Sequence, residues 1–520
     1  MKSIVFALAG TLAFAAVAIA APPAPHITVA ATDIKQLQFD ITPVSQVNRY
    51  ELWFKANAGA AWVKYAESPA QRPLIRIGVS VHLIDWTQAR YRVKACNPSG
   101  CSTSNEVGVN GEQLSAIGYF KPKVAGDASY TFGGKIAASA DGKTIAVVSD
   151  EDVGSVTHAG VVHVYRQTTS SSGWRREARL LPHNLTGTGG QYYIGDQISI
   201  SGDGNLIAFG QWTENVPGAP EGTGAVYLFR RIDGIWREVQ RIQGDTTGYG
   251  DYFGYSVKLD DAGRTLAVMH HEPAGVYAWG TVDMYRIFDD SSDQFEHDKS
   301  LPITPQANGG AGRCEALGLS GDGKTLMRSC QWDLSSGNTN IVQVFKAPGW
   351  VQTTSFSAGL GEGVDLSYDA SEVIVQWVHY GLTFRLGPDG YVGEGLLTNF
   401  DEHGNSYRQV AISRDGKIAV IGNEFDVAAG LGPIFPPYQT GNRETGGVVV
   451  YERKSNGSWV LRRAIKPGST NEGLFGHSVA LGDNGRLLVV GAPRDQSKAT
   501  GIDGDRNDSS VDWRGAVWIY

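Results

Sequence analysis

Ala516-Val517-Trp518-Ile519-Tyr520 is the third strand of a four-strand repeat, and the sequence runs out before a fourth. The missing strand sits in front of the first copy, at Ala116-Ile117-Gly118-Tyr119-Phe120-Lys121-Pro122. It matches the fourth-strand endings Ala178-Arg179-Leu180-Leu181-Pro182 and Arg463-Ala464-Ile465-Lys466-Pro467. Each copy reads apolar strand, tight Asp/Gly turn, apolar strand, long loop, strand, short polar turn, aromatic residue, strand. The first turn recurs as Ser139-Ala140-Asp141-Gly142-Lys143, Ser201-Gly202-Asp203-Gly204-Asn205, Asp260-Asp261-Ala262-Gly263-Arg264 and Ser320-Gly321-Asp322-Gly323-Lys324. It continues as Ser367-Tyr368-Asp369-Ala370-Ser371, Ser413-Arg414-Asp415-Gly416-Lys417 and Gly482-Asp483-Asn484-Gly485-Arg486. The spacing is about 57 residues, and four-stranded units at such a period imply radial repetition. Pairing the two ends in one sheet would close the ring and leave no open edge.

The later strands keep the phase. Strand three appears as Val161-Val162-His163-Val164-Tyr165, Ala225-Val226-Tyr227-Leu228-Phe229 and Val448-Val449-Val450-Tyr451. An aromatic opens strand four at Trp174, Trp236, Phe295, Trp350, Tyr391 and Trp459.

Lys2, the apolar run Ile4 to Val17 and Ala18-Ile19-Ala20 read as a secretory signal peptide over residues 1–20. That run is short for a membrane span, and no later segment is apolar enough to make one. With 66 Gly, 13 Trp and only 4 Cys the chain reads as a large all-β exported protein and not a small disulfide scaffold. A net charge of −8 is mild for 520 residues and argues against nucleic-acid or anionic-membrane binding. Cys314 and Cys330 lie symmetrically about the Asp322 turn, and Cys96 and Cys101 flank Asn97-Pro98-Ser99-Gly100. Facing positions across a hairpin come within disulfide reach, and an oxidising compartment favours the bonds over four buried thiols.

Residues 24–112 have short alternating strands and end in Leu83-Ile84-Asp85-Trp86-Thr87-Gln88-Ala89-Arg90-Tyr91-Arg92-Val93-Lys94-Ala95-Cys96-Asn97. This resembles the strand-F region of a fibronectin type III domain. The resemblance implies a β-sandwich in which Tyr91 is the corner tyrosine and Trp53 a candidate for the core tryptophan. Residues 113–520 resemble the FG-GAP repeats of integrin-α-like β-propellers, particularly bacterial exported ones. The carrying residues are Phe132-Gly133, Phe253-Gly254, Phe475-Gly476 and the one intact Gly491-Ala492-Pro493. The resemblance implies a seven-bladed β-propeller. The integrin versions often bind calcium in the strand-one/strand-two turn, but here that turn is short and has one or two Asp, too few for six to eight oxygen ligands.

Several motifs have bland readings. Gly318 to Thr325 matches a phosphate-binding loop by spelling, but Thr325 begins a strand where such a loop needs a helix. Asp503, Asp505 and Asn507 fit the first positions of a calcium loop. Asp508 then stands where Gly is needed and Arg514 where a bidentate Glu is needed, so a solvated acidic loop is the favoured reading. Calcium is the one cofactor these residues leave open. His270 and His271 are adjacent in a strand and point to opposite faces, which rules out a shared ion without a bend.

The long loops Gln211 to Thr223, Asn423 to Gly446 and Arg494 to Arg514 join strand two to strand three, and all emerge on one face. Long variable loops on a rigid ring make a binding surface. At the end of strand two, equivalent positions hold Asp150, Trp212, His271, Gln331, His379, Glu424 and Pro493. The six polar or aromatic ones are the candidate ligand-binding rim, Trp212 by stacking and Asp150 and Glu424 as acceptors. The leading expectation is an exported, non-enzymatic, adhesion-type protein presenting this face to an extracellular or periplasmic protein or glycan. The alternatives are a carbohydrate-active lyase or glycosidase, for which Glu362, Glu394 and Glu424 are the carboxylates to watch, and a structural assembly component.

Overall fold

The computed structural model describes residues 20–122, 131–154, 156, 159–167, 173–183, 194–214, 222–244, 250–271, 279–289, 292–303, 312–334, 337–358, 363–377, 380–398, 409–425, 434–435, 445–468, 473–507, 510 and 513–520. The expected signal peptide lies outside the described residues apart from Ala20. The protein is all-β, and the α-helical part of the described residues is the single turn Gln113–Ala116. Two compact units form. One comprises Leu37–Ile77 and Asp85–Glu112 with the residues up to Ala31; the other comprises Thr32–Gln36, Gly78–Ile84 and Gln113–Tyr520.

Ile27–Asp33, Gln36–Ile41 and Leu74–Gly78 make one sheet. Val63–Pro69, Arg49–Lys55, Arg90–Asn97 and Gly100–Thr103 make another. The ring of Tyr91 is buried, 4.9 Å from Phe39 and 5.0 Å from Phe54, and burial raises its phenol pKa. Trp53 is not a core residue: it is half-buried, with Lys94 Nζ 3.9 Å from its ring centre. Tyr50 and Leu52 take the inward face of that strand, so period-two alternation sends Trp53 outward. The buried tryptophan is Trp86, 2% exposed.

In the second unit each copy contributes four antiparallel strands to propeller-like sheets; the third and fourth copies are joined by a parallel bridge of Trp279 to Arg313, and Ile434–Phe435 adds a parallel strand to the sixth. The first pairs Ile136–Ala138, Thr144–Ser149, Val161–Arg166 and Arg175–Leu180; the second pairs Ile194–Ile200, Leu206–Gln211, Ala225–Ile232 and Ile235–Gln243. The third pairs Ser256–Leu259, Thr265–His271, Trp279–Arg286 and Glu296–Leu301; the fourth pairs Gly312–Leu319, Thr325–Leu334, Gly337–Lys346 and Val351–Ser357. Val364–Leu366, Glu372–Trp377, Tyr380–Gly387 and Gly390–Thr398 follow, then Val410–Ile412, Ile418–Asn423, Gly447–Arg453 and Trp459–Ile465. In the last sheet Ser478–Gly482, Leu487–Ala492 and Ala516–Ile519 are completed by Gly118–Phe120, with Val517 opposite Phe120 and Ile519 opposite Gly118. The paired segment is shorter than Ala116 to Pro122. Lys121 N donates to Gly501 O instead of the ladder, and Pro122 has no N–H to offer.

Cores form between neighbouring sheets, so strands read apolar on both faces. Val148, Val162 and Val164 of the first sheet pack against Ile207, Phe209 and Tyr227 of the second. The Asp/Gly turns close by side-chain capping. Ser139 Oγ donates to Asp141 Oδ1 at 2.5 Å and accepts from Thr144 N at 3.0 Å, while Asp141 Oδ1 accepts from Lys143 N at 2.9 Å. The same bonds recur at Ser201/Asp203, Ser320/Asp322 and Ser413/Asp415. Each of these aspartates is committed to its own turn. The turns also bond to one another. Asp483 N donates to Ala140 O (3.0 Å), Asp141 N to Gly202 O (3.0 Å), Gly202 N to Asp261 O (2.9 Å) and Asp261 N to Gly321 O (3.0 Å). Asp322 N donates to Tyr368 O (2.9 Å) and Tyr368 N to Arg414 O (2.8 Å), extending the belt from sheet to sheet.

The Phe-Gly pairs are joints between sheets. Gly254 holds φ 90°, which favours glycine, and its carbonyl lies against Gly210 of the preceding sheet, where a Cβ would overlap it. Gly476 meets Gly422 and Gly133 meets Gly491 in the same way. The phenylalanines of these pairs, Phe132, Phe253 and Phe475, are fully buried. Both cysteine pairs are bonded, Cys96–Cys101 with Cα atoms 4.1 Å apart and Cys314–Cys330 with Cα atoms 3.8 Å apart. In each the two residues are direct cross-strand partners.

Candidate functional site

The strand-two ends lie on the long-loop side, as the alternation of connections requires. Three of these rim positions meet the residue after a Phe-Gly pair in the next sheet. Trp212 meets Tyr255, with ring centres 5.8 Å apart and planes at 88°. Glu424, 2% exposed, is ion-paired with His477. Pro493 approaches Gly134. Asp150 is buried at the end of its strand, and His379 lies outside the described residues.

One part of the rim gathers into a cavity. Trp212, Tyr252, Tyr255, His271, Arg313, Cys314 and Glu315 line a space of about 190 Å³. Trp212 stands edge-to-face with Tyr252 at 4.9 Å, Tyr252 with His271 at 5.1 Å, and His271 lies 5.3 Å from Tyr255. At these separations the rings brace one another. Arg313 Nε is 2.5 Å from Glu315 Oε1, and Gln331 is the cross-strand partner of Arg313. Burial, His270 and Arg313 together lower the His271 pKa to about 4, so the ring is neutral near pH 7 and offers one donor and one acceptor. His270 turns the other way, with Nε2 3.3 Å from Asp283. The site thus brings Trp212 and His271 together, with Gln331 adjoining, and leaves Asp150 and Glu424 elsewhere on the rim.

The sequence pattern does not single out Tyr252, Tyr255, Arg313 or Glu315. Tyr252 and Tyr255 come from the connection that precedes strand one of the third sheet, and Arg313 and Glu315 from the start of strand one of the fourth, Gly312–Leu319; no repeat of these residue types marks either place. The available signal was adjacency: Tyr252 and Tyr255 flank Phe253-Gly254, and Arg313 and Glu315 flank Cys314.

The loop roots are held by buried ionic clamps just beyond the rim positions. Glu151 is paired with His163 and accepts from Arg179 Nη2 at 2.7 Å. Glu214 accepts from Tyr227 Oη at 2.6 Å and Arg241 Nη2 at 2.7 Å. Asp495 accepts from Tyr119 Oη at 2.6 Å and Lys121 Nζ at 3.0 Å. Burial pushes the Glu151 carboxyl up, but the bonds and charges of His163 and Arg179 outweigh it and hold the group at about 2.

The other candidates do not assemble. Glu394 is bound to Arg453 and Arg385 on an outer strand, whereas Glu424 faces His477; Glu362 lies outside the described residues. Asp503 Oδ1 accepts from Tyr119 N at 2.9 Å and Asp505 Oδ1 from Asn507 N at 3.0 Å, so both carboxylates serve backbone; Asp508 lies outside the described residues. Among the described residues no three His, Cys, Asp or Glu side chains group as a metal site, and no helix is long and apolar enough to cross a membrane.

No family model and no curated protein matches the chain. Among solved structures it is similar to the periplasmic gluconolactonase PpgL of Pseudomonas aeruginosa, at 14% identity over 68% of this chain and 94% of that one, with a TM-score of 0.41. It is similar to Chaetomium thermophilum Sqt1, solved bound to the N-terminus of the ribosomal protein L10, at 14% identity over 83% and 90% of the two chains, TM-score 0.42. The Dos1 propeller is 13% identical over 77% and 94%, TM-score 0.42. These are distant likenesses of fold and say nothing of ligand or activity.

Proposed function

We propose that the chain is an exported, non-enzymatic binding protein that seats a glycan on its long-loop face. In this reading residues 1–20 are a signal peptide, 24–112 a fibronectin type III-like domain, and 113–520 a seven-bladed FG-GAP-type propeller. The turn-to-turn belt and the Phe-Gly joints support the ring. The two disulfides suit an oxidising compartment. The observation that carries the function is the aromatic cavity of Trp212, Tyr252, Tyr255 and His271 beside the Arg313–Glu315 pair. Aromatic faces take the C–H face of a sugar ring, while a guanidinium, a carboxylate and a neutral imidazole satisfy its hydroxyls.

A glycan array probed with the intact protein tests this. Trp212→Ala and Tyr252→Ala should each weaken the best glycan by about tenfold or more, the scale of one lost stacking contact, with the melting temperature kept within about 2 °C. Binding unchanged in both variants would remove the cavity from consideration. Release of shortened or unsaturated sugars in the same incubation would move the reading to a carbohydrate-active enzyme.

A further inference from the structure

In the first unit, the sheet of Val63–Pro69, Arg49–Lys55, Arg90–Asn97 and Gly100–Thr103 buries one face. Tyr50, Leu52, Tyr91, Val93 and Ala95 lie on it. Period-two alternation therefore sends Arg49, Lys55, Arg90, Arg92 and Lys94 to the other face. Lys64 joins them as the cross-strand partner of Trp53. The pairing lays these side chains out as a grid. Lys55 stands opposite Arg90, Trp53 opposite Arg92, and Glu51 opposite Lys94. Strands lie about 5 Å apart, and alternate residues along a strand about 7 Å apart.

Two half-buried tryptophans lie among the cations. Lys94 Nζ is 3.9 Å from the ring centre of Trp53. The Arg92 guanidinium is 4.1 Å from the ring centre of Trp62, and Lys55 Nζ is 5.0 Å from it. Such contacts hold long cationic side chains against the sheet, so less freedom is lost when a ligand binds them.

The acids of this face do not balance its cations. Glu51 accepts from Arg49 Nε at 2.8 Å, from Lys64 Nζ at 3.0 Å and from Trp53 Nε1 at 3.3 Å. Glu67 accepts from Lys64 Nζ at 2.8 Å. Burial pushes the Glu51 carboxyl up, but its bonds to Lys64 and Arg49 outweigh this and hold it below its usual value. Glu51 is thus ionised at neutral pH, and Arg49 and Lys64 neutralise both acids. Glu106 stands at the sheet edge, beside the partner of Tyr91, and is ion-paired to none of these cations among the described residues. Arg90 Nη1 donates to the carbonyls of Thr87 and Ala89. Lys55, Arg90, Arg92 and Lys94 have no carboxylate partner among the described residues. The face carries this excess although the whole chain is net −8.

We propose that this face docks an acidic polysaccharide, a chain whose sugars bear carboxylates. Its charge selects a polyanion. Arg49 on Glu51 and Lys64 on Glu67 show the pairing that a ligand carboxylate would make with the other four cations. A sheet face offers nothing that enters a groove to read base edges. The rings of Trp53 and Trp62 are engaged by Lys94 and Arg92 and are not bare platforms for stacking bases. Val63 and Tyr65, the exposed apolar residues of this sheet, lie on the side of Phe54, away from the cations, so the basic face has no apolar group to enter a bilayer. The surface shares no residue with the aromatic cavity.

Binding of the intact protein to immobilised polygalacturonate, measured over a series of sodium chloride concentrations, tests the proposal. Binding is expected at low salt, with affinity falling steeply as salt rises. The triple variant Lys55→Gln/Arg92→Gln/Lys94→Gln should weaken it by about tenfold or more. Arg76→Gln removes a cation from the other sheet of this unit, where Arg76 Nε donates to Gln38, and should leave binding unchanged, as should Trp212→Ala. If the triple variant does not fold, Lys55→Glu, at the last position of its strand, is read in its place and should also weaken binding. No salt-sensitive binding, or affinity kept in the variants of this face that fold, overturns the proposal. So does tighter binding to a single-stranded oligonucleotide or to phosphatidylglycerol vesicles that the same substitutions abolish. Binding lost in Trp212→Ala would place the polysaccharide in the aromatic cavity and overturn the face as its site.

Discussion

His271 shows how one side chain acquires its role from its surroundings. Its folded pKa of about 4 lies below the ordinary 6.5, so between these values the unfolded chain binds the extra proton. Stability from this residue is therefore whole above about pH 6.5 and falls as the pH drops toward 4. A shift of this size corresponds to at most about 3 kcal/mol. Melting curves from pH 7 to pH 4.5 should show a shallower loss for His271→Gln than for the wild type. Parallel pH slopes would mean that the imidazole is not held neutral in the fold. The same neutrality suits the ring to a cavity that takes an uncharged ligand.

At the scale of elements, neighbouring sheets are fastened where one backbone touches another. Gly254 against Gly210, Gly476 against Gly422 and Gly133 against Gly491 are contacts that any side chain would prevent. Gly210→Ala should destabilise by about 2–3 kcal/mol, the upper range for overpacking, because the obstacle is a carbonyl that cannot rotate aside. Gly395→Ala, whose added Cβ would have Thr383 Oγ1 as its nearest neighbour at 3.9 Å, should be close to neutral or slightly stabilising. Urea unfolding of both variants checks the contrast, and equal midpoints would show that the joint yields. The Phe-Gly half of each joint is visible in the sequence. Its partners Gly210 and Gly422 are not, since the Ala-Pro that marks Gly491 is missing behind them.

For the whole molecule, the sheet that joins the chain ends is the piece with the longest sequence separation. Deleting residues 113–122 removes the Gly118–Phe120 ladder and leaves Asp495 buried without Tyr119 and Lys121. Breaking a buried pair of this kind costs about 3–5 kcal/mol, so the melting temperature should fall by at least about 4 °C and the transition should broaden. A deletion variant that melts like the intact protein would show that the closing strand is not needed.

The sequence by itself determined the all-β class, the Ser-x-Asp-Gly turns, the phase of the strands, the pairing of the chain ends and both cysteine pairs. Each of these follows from local chemistry or from period, which a single sequence carries: Asp141 caps its own turn, and Cys314 and Cys330 are equidistant from Asp322. The rim position at the end of strand two was legible for the same reason, and Trp212 and His271 were found through it. Only the tertiary structure decided that these two share a cavity with Tyr252, Tyr255, Arg313 and Glu315, and that Trp53 faces outward while Trp86 is buried. Those groupings arise where separate sheets meet at joints and around a common axis, and no spacing along the chain encodes which residues of different sheets come together there.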